Sequence, residues 1–289
     1  ENGNPSPDGK IALVSIGMSN ANQEYTRYIE LYQNDPSVNP HLVMVNGAQG
    51  GVPAEEMSGL GSSSKPDVEE TFDFYWNEFL PHQLGLYGVS APQVEVVWMK
   101  QAISTPASNP ESADFPGDAD QLKIYEQEII KLLYDKFPNL KQVYVSGRTY
   151  AGCAKTELNP EPYAYQTGFA VKWLVEDYIN QFRANPNLGL PWVAWGPYLW
   201  ADGTTPRSDG LIWLPSDFKT IDGTHPSDSG SQKVANLIYS FLAADQTSRG
   251  WFLSAAINGG VTTPPGATLS EVIRTKLSEF SDLLAKFLR

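Results

Sequence analysis

The sequence predicts an α/β fold in which a parallel sheet is covered by helices on both faces. Five short apolar runs recur at wide spacing along the 289 residues, and helical patterns separate them. Strands that alternate with helices are typical of a parallel sheet, because each crossover helix packs back onto a face of that sheet. The five predicted strands are residues 11–16, 42–45, 94–99, 142–145 and 191–195.

Helical periodicity is clearest in residues 122–137, 165–182 and 231–242, where apolar side chains recur every three or four positions. Two segments rich in proline, glycine and serine, residues 104–120 and 198–218, are predicted as long loops. We expect the main domain to cover residues 10–250. A linker over residues 258–267 and an amphipathic helix over residues 268–289 would follow it. That helix would pack on the domain or on a partner.

Composition and charge disfavour several classes of protein. The formal net charge of −13 argues against a nucleic acid partner, which needs a basic face. The single cysteine, Cys153, allows no intramolecular disulfide and does not suggest a zinc site. No apolar run is long enough to span a bilayer. The chain starts with polar residues rather than methionine, which leads us to expect a secreted or periplasmic protein whose signal peptide has been removed.

A serine at the end of the first predicted strand is the first candidate catalytic residue. Ser19 follows Gly17 and Met18 directly, and a serine nucleophile needs a histidine base that is oriented by a third group. Among the three histidines, only His225 has an aspartate, Asp222, three residues before it in a turn. By itself, such a turn is more often the start of a helix with a histidine on the protein surface. Its combination with the serine after the first strand favours a hydrolase.

These two motifs resemble the first and last blocks of the SGNH hydrolases, also called the GDSL esterases. The resemblance covers roughly residues 10–244. It implies a three-layer α/β/α sandwich with a flavodoxin-like parallel five-stranded sheet. It also implies that Ser19 is the nucleophile, His225 the base and Asp222 the residue that orients His225, with no metal or cofactor.

The family's second and third blocks supply donors to the oxyanion hole, beside the N–H of Ser19. The second block needs a glycine so that a backbone N–H can approach the oxyanion. The family pattern counted from Asn46 gives Gly51, and a shift of one residue gives Gly50. The third block lacks the usual asparagine, and here the resemblance is to a carbohydrate-esterase branch with glutamine in that place. We therefore predict Gln101 as a donor, with Lys100 as the alternative unless it is only a solvated side chain.

Residues after the fourth strand and in the late loops are candidates for substrate binding. Arg148 and Tyr150 could line the site or brace their own loop, and the sequence favours neither interpretation. Aromatic faces stack on sugar rings, so tryptophans on or near the late loops suit a glycan. Those tryptophans are Trp195, Trp200 and Trp213, whereas Trp173 is expected to be a core residue.

The leading hypothesis is an acetylesterase that acts on a plant polysaccharide such as xylan. Its partner would be a polysaccharide ester or a small ester, and the oligomeric state is left open. One alternative is a catalytically silent carbohydrate-binding module on the same scaffold. A lipase or arylesterase is a further alternative, although the two long loops are more polar than a lipase lid.

Overall fold

The fold is built on a single sheet of five parallel strands. The computed structural model describes residues 8–61, 68–106 and 114–254. Within these residues the strand order is β2-β1-β3-β4-β5, which is the flavodoxin-like order, and the predicted fold class is confirmed. The strands are β1 (Ile11–Gly17), β2 (Leu42–Asn46), β3 (Val94–Lys100), β4 (Gln142–Val145) and β5 (Trp192–Trp195).

The strands are continuous apolar runs because both faces of the sheet are buried. In β1, Ala12, Val14 and Ile16 belong to one core cluster, whereas Leu13 between them belongs to the other. This alternation is expected of a strand, whose successive side chains point to opposite faces. All five predicted strands agree with the observed ones to within a residue or two.

Eight α-helices in the described part of the chain form the two outer layers. Helices α1, α7 and α8 pack on one face, and α2 to α6 pack on the other. A π-helical turn, Tyr75–Phe79, joins α3 to α4. The helices are α1 (Ser19–Tyr32), α2 (Ala54–Met57), α3 (Val68–Phe74), α4 (Leu80–Leu86), α5 (Gly117–Lys136), α6 (Tyr163–Ala184), α7 (Asp228–Ala244) and α8 (Arg249–Phe252).

The loop predicted over residues 104–120 is shorter than expected. Helix α5 begins at Gly117, and Asp118 and Ala119 in its first turn are fully buried. The predicted loop over residues 198–218 holds only one short 3-10 turn, Pro215–Asp217. The predicted linker and C-terminal helix lie outside the described residues. None of the helices in residues 8–61, 68–106 and 114–254 has the length and apolar character needed to cross a membrane.

Candidate active site

Ser19 lies at the carboxyl edge of the sheet, where β1 passes into α1. Strand β1 ends at Gly17, and Met18 caps the helix with an extended backbone but no side-chain hydrogen bond. Ser19 is therefore the first residue of α1, where backbone N–H groups lack an intrahelical partner. Its side chain is only partly buried and can be reached from solvent. The helix start thus presents a hydroxyl and free N–H donors together.

His225 and Asp222 complete a chain of hydrogen bonds to this serine. The Oγ of Ser19 lies 2.8 Å from Nε2 of His225, across 206 residues of sequence. The Nδ1 of His225 lies 3.0 Å from Oδ2 of Asp222. An ionised carboxylate only accepts hydrogen bonds, so the imidazole proton is assigned to Nδ1. Nε2 is then free to accept the proton of Ser19, as a general base must.

The loop that carries His225 is held by the same carboxylate. Oδ1 of Asp222 accepts hydrogen bonds from the backbone N–H groups of Thr224 at 2.7 Å and His225 at 2.8 Å. Burial would raise the pKa of Asp222, but these two N–H groups and the His225 side chain outweigh burial and lower that pKa. Asp222 therefore remains an anion at neutral pH, which suits stabilisation of an imidazolium.

Gly223, between Asp222 and Thr224, is required by close packing and by its backbone conformation. Its φ of +67° is in the left-handed region, and a Cβ there would lie 1.8 Å from the carbonyl oxygen of Cys153. The N–H of Lys155 donates to the carbonyl of Asp222 at 2.8 Å. The loop after β4 thus packs directly against the loop that carries His225.

Asn20 is a further site residue, and the sequence analysis missed it. It follows Ser19, and its Nδ2 donates to the carbonyl oxygen of Thr224 at 2.9 Å. This buried bond joins the helix of the serine to the loop of the histidine. No local pattern in the sequence indicates this pair, because 204 residues separate Asn20 from Thr224 and only the fold brings them together.

The backbone beside Ser19 offers donors for an oxyanion. A Cβ on Gly50 would lie 3.6 Å from Cβ of Ser19, whereas nothing lies within 4 Å of the same position on Gly51. Among the described residues, neither glycine N–H has a partner. The Gly50–Gly51 segment therefore flanks the serine, and both positions considered in the sequence lie at the site. Gly51, the predicted donor, and Gly50 are therefore both candidates for this role.

Gln101 does not have the environment expected of an oxyanion donor. It is buried, and its Nε2 lies 3.4 Å from the carbonyl oxygen of Val52 and 3.1 Å from the sulfur of Met57. Its amide is thus directed at the segment that follows Gly51. The structure assigns Gln101 a supporting role for that segment, because its donors are already engaged in the interior.

Lys100 is not a solvated side chain at a strand end. Its Nζ lies 2.6 Å from both carboxylate oxygens of Glu24, and both side chains are buried. Burial lowers the pKa of Lys100 to about 8, against the opposing effect of Glu24. Since Glu24 lies on α1, this ion pair ties the end of β3 to the helix that begins at Ser19.

Arg148 and Tyr150 follow β4 and differ in their surroundings. Arg148 is 3% exposed, and its backbone N–H donates to Oγ1 of Thr167 at 2.8 Å. Tyr150 is partly exposed and packs edge-on against Trp200, with ring centroids 6.5 Å apart. Tyr150 therefore belongs to an aromatic group on the edge of the sheet, whereas Arg148 lies beneath the surface.

Two of the three tryptophans proposed to stack on sugars are accessible. Trp195 and Trp200 are partly exposed, whereas Trp213 is 1% exposed and donates from Nε1 to the carbonyl of Leu199. Trp213 is therefore a core residue, and its assignment to sugar stacking was wrong. Trp173, expected in the core, is half-buried and packs against it.

Nucleophile, base, orienting carboxylate and backbone donors thus meet at one edge of the sheet. This arrangement can activate a hydroxyl for attack on a carbonyl carbon and hold the resulting oxyanion. No group of three or more histidine, cysteine, aspartate or glutamate side chains in the described ranges could hold a metal ion. The roles of Ser19, His225 and Asp222 in turnover stay predictions.

Comparisons with known proteins find similarity only at the level of solved structures. No protein-family model matches the sequence, and no curated protein matches it either. A protein assigned as an acylhydrolase from Bacteroides fragilis is 14% identical, with a TM-score of 0.45, and the match covers 82% of this chain and 88% of that one. A GDSL-like lipase from Bacteroides thetaiotaomicron is 12% identical, with a TM-score of 0.44 and coverages of 82% and 89%. Similarity this low does not assign an activity, so the functional argument depends on the site itself.

Proposed function

We propose that the protein is a serine ester hydrolase of the SGNH hydrolase superfamily. The observation that carries this proposal is the chain of hydrogen bonds from Ser19 through His225 to Asp222. Three residues from two distant segments form this chain at the partly exposed carboxyl edge of a parallel sheet. Ligands bind at that edge in open α/β folds.

In the proposed reaction, Ser19 Oγ attacks the ester carbonyl while Nε2 of His225 takes its proton. The N–H of Ser19 and the N–H groups of the Gly50–Gly51 segment hold the oxyanion, and the positive end of α1 favours the same charge. The protonated His225 then gives its proton to the leaving alkoxide. Water, deprotonated by His225, cleaves the acyl-enzyme and releases the acid.

The proposed substrate is a short acyl ester, such as an acetyl group, on a polysaccharide such as xylan. Support comes from aromatic side chains that follow β4 and β5 at the carboxyl edge of the sheet, because aromatic rings pack on the apolar faces of sugars. Tyr165 and Tyr198 are 41% and 38% exposed, and Tyr165 lies against Trp200 with ring centroids 4.6 Å apart.

Hydrolysis assays on acetylated xylan and on p-nitrophenyl esters from acetate to octanoate test this proposal. We expect acetate release from xylan and a rate on aryl esters that falls as the acyl chain lengthens. Ser19→Ala should lower kcat by about a millionfold while preserving the fold. Rates that rise with acyl length would favour a lipase, and xylan binding without hydrolysis would favour a silent binding module.

A further inference from the structure

Arg148 is a buried cation whose side chain has no hydrogen-bonding partner in the described protein. It is 3% exposed, and its Nε is buried without a partner. The only hydrogen bond it makes to the described residues comes from its backbone N–H, which donates to Thr167. Buried polar groups are nearly always paired, and an unpaired charged group is especially costly. The two terminal guanidinium nitrogens also make no hydrogen bond to the described residues. This cation therefore suits an acceptor that binds from outside the chain.

The nearby carboxylates do not hydrogen-bond the Arg148 side chain, and both are engaged by other donors. Glu24 and Glu161 lie within electrostatic range of Arg148. Both oxygens of Glu24 bind Nζ of Lys100 at 2.6 Å. Glu161 accepts from the N–H groups of Ala151, Tyr165 and the Trp200 side chain at 2.9–3.0 Å. The two carboxylates offset charge in this cluster without satisfying the directional donors of Arg148.

Arg148 lies on the same edge of the sheet as the proposed triad. Arg148 is three residues beyond the end of β4. At the end of the neighbouring strand β3, Lys100 lies in register with Gly17, two residues before Ser19. Glu24 lies on the helix that begins at Ser19. Further along the loop of Arg148, the backbone of Cys153 packs against Gly223, in the loop that carries His225. A ligand at Arg148 would therefore lie at the carboxyl edge of the sheet, near the helix that begins at Ser19.

We propose that Arg148 binds a carboxylate carried by the ester substrate, so that the enzyme selects acidic esters. This inference rests on the proposed ester hydrolase function. The planar guanidinium fork matches a carboxylate through two parallel hydrogen bonds. A singly charged group fits better than a phosphate, because Glu24 and Glu161 would repel a dianion. The carboxylate can belong to the alcohol side, as in an acetylated uronic acid, or to the acyl side, as in a hemisuccinate.

Matched pairs of substrates test the proposal and distinguish the two sides. One pair is an O-acetylated methyl galacturonoside and its methyl ester, and the other is p-nitrophenyl hemisuccinate and its methyl ester. We expect wild-type kcat/KM to favour the acid by about 10- to 100-fold in one pair, which is the range for a hydrogen bond to a charged group. In Arg148→Gln, the ratio of acid to methyl ester should fall to about 1. Arg183→Gln, a change at an exposed arginine in the last turn of α6, is the matched control and should keep the wild-type ratio.

Several outcomes would overturn the proposal. Wild-type ratios near unity in both pairs, or a preference that survives in Arg148→Gln, would show that Arg148 has another role. If Arg148→Gln does not fold, Arg148→Lys keeps the charge without the fork and should still lose most of the preference. If the wild type hydrolyses no ester, the proposed hydrolase function is wrong, but this result does not test carboxylate binding at Arg148. Calorimetric titration with galacturonate and succinate then tests that binding directly. Absence of binding there would refute it.

Discussion

Replacing Lys100 by methionine should destabilise the protein strongly, although the change is conservative in shape. Methionine fills much of the lysine volume but removes the charge that faces Glu24. The side chains of Lys100 and Glu24 are 2% and 0% exposed, so water cannot solvate either charge unless the protein unfolds locally. Removing one partner of a buried ion pair typically costs about 3–5 kcal/mol, because the other charge remains buried and unpaired.

The structure places the expected cost near the lower end of that range. Arg148 lies close enough to Glu24 to offset part of its charge after Lys100 is lost. Burial also raises the pKa of Glu24, so this carboxyl can take up a proton more easily than an exposed one. We therefore expect the free energy of unfolding to fall by about 3 kcal/mol at pH 7. The double variant Lys100→Met/Glu24→Leu, which removes both charges, should recover most of that loss.

Urea denaturation of the two single variants and the double variant gives the coupling energy directly. The control is Lys172→Met, which breaks an exposed pair with Glu176 on α6, where the side chains are 55% and 53% exposed. That change should cost no more than about 0.5 kcal/mol. A loss below about 1 kcal/mol in Lys100→Met would refute the argument, because it would mean that the buried pair contributes no more than a surface pair.

Three further predictions concern the catalytic loop and a second buried carboxyl. Asp222→Asn should lower kcat on p-nitrophenyl acetate by about 10⁴-fold, the loss seen when the triad aspartate of a serine protease is changed in this way. An amide cannot accept from both the imidazole and the backbone, and near-normal turnover would remove Asp222 from the proposed mechanism. Gly223→Ala should lower both the esterase activity and the free energy of unfolding, because the alanine Cβ would clash with the carbonyl oxygen of Cys153. A variant with wild-type activity and stability would contradict the loop geometry. Burial raises the pKa of Asp118 from 3.8 to about 7. Between these two pH values the folded state keeps a proton that the unfolded state has lost. The free energy of unfolding therefore falls as the pH rises from about 4 to 7. Asp118→Asn should remove about 2.7 kcal/mol of this decline between pH 5 and pH 8, since about two pH units separate pH 5 from the folded-state pKa and each corresponds to about 1.36 kcal/mol. Denaturation at the two pH values measures this difference, and an unchanged pH dependence would show that Asp118 is not its source.

The fold could be predicted because its strands are buried on both faces. Such strands appear as continuous apolar runs, and the long helices α5 to α7 keep a clear helical period. The segment from α2 to α4 was harder to predict. Its helices have only four to seven residues, and the π-helical turn Tyr75–Phe79 interrupts the period between α3 and α4.

The candidate site could be predicted only where its signal is local in sequence. Asp222 and His225 are three residues apart, and Ser19 follows a strand directly. The contact between Asn20 and Thr224 spans 204 residues, and that between Lys100 and Glu24 spans 76. No local pattern indicates such pairs. The direction of a buried side chain is also set by the residues around it, and no sequence pattern shows that Nε2 of Gln101 points toward Val52 and Met57.

Covalent labelling tests whether Ser19 is a nucleophile that His225 activates. The wild-type protein is incubated with a p-nitrophenyl phosphonate ester, and its mass and labelled peptide are measured. The structure predicts a single adduct on Ser19, and His225→Ala should react far more slowly because the hydroxyl has lost its base. An adduct on another residue would show that Ser19 is not the nucleophile, and labelling of Ser19 that is equally fast in His225→Ala would show that His225 does not activate it.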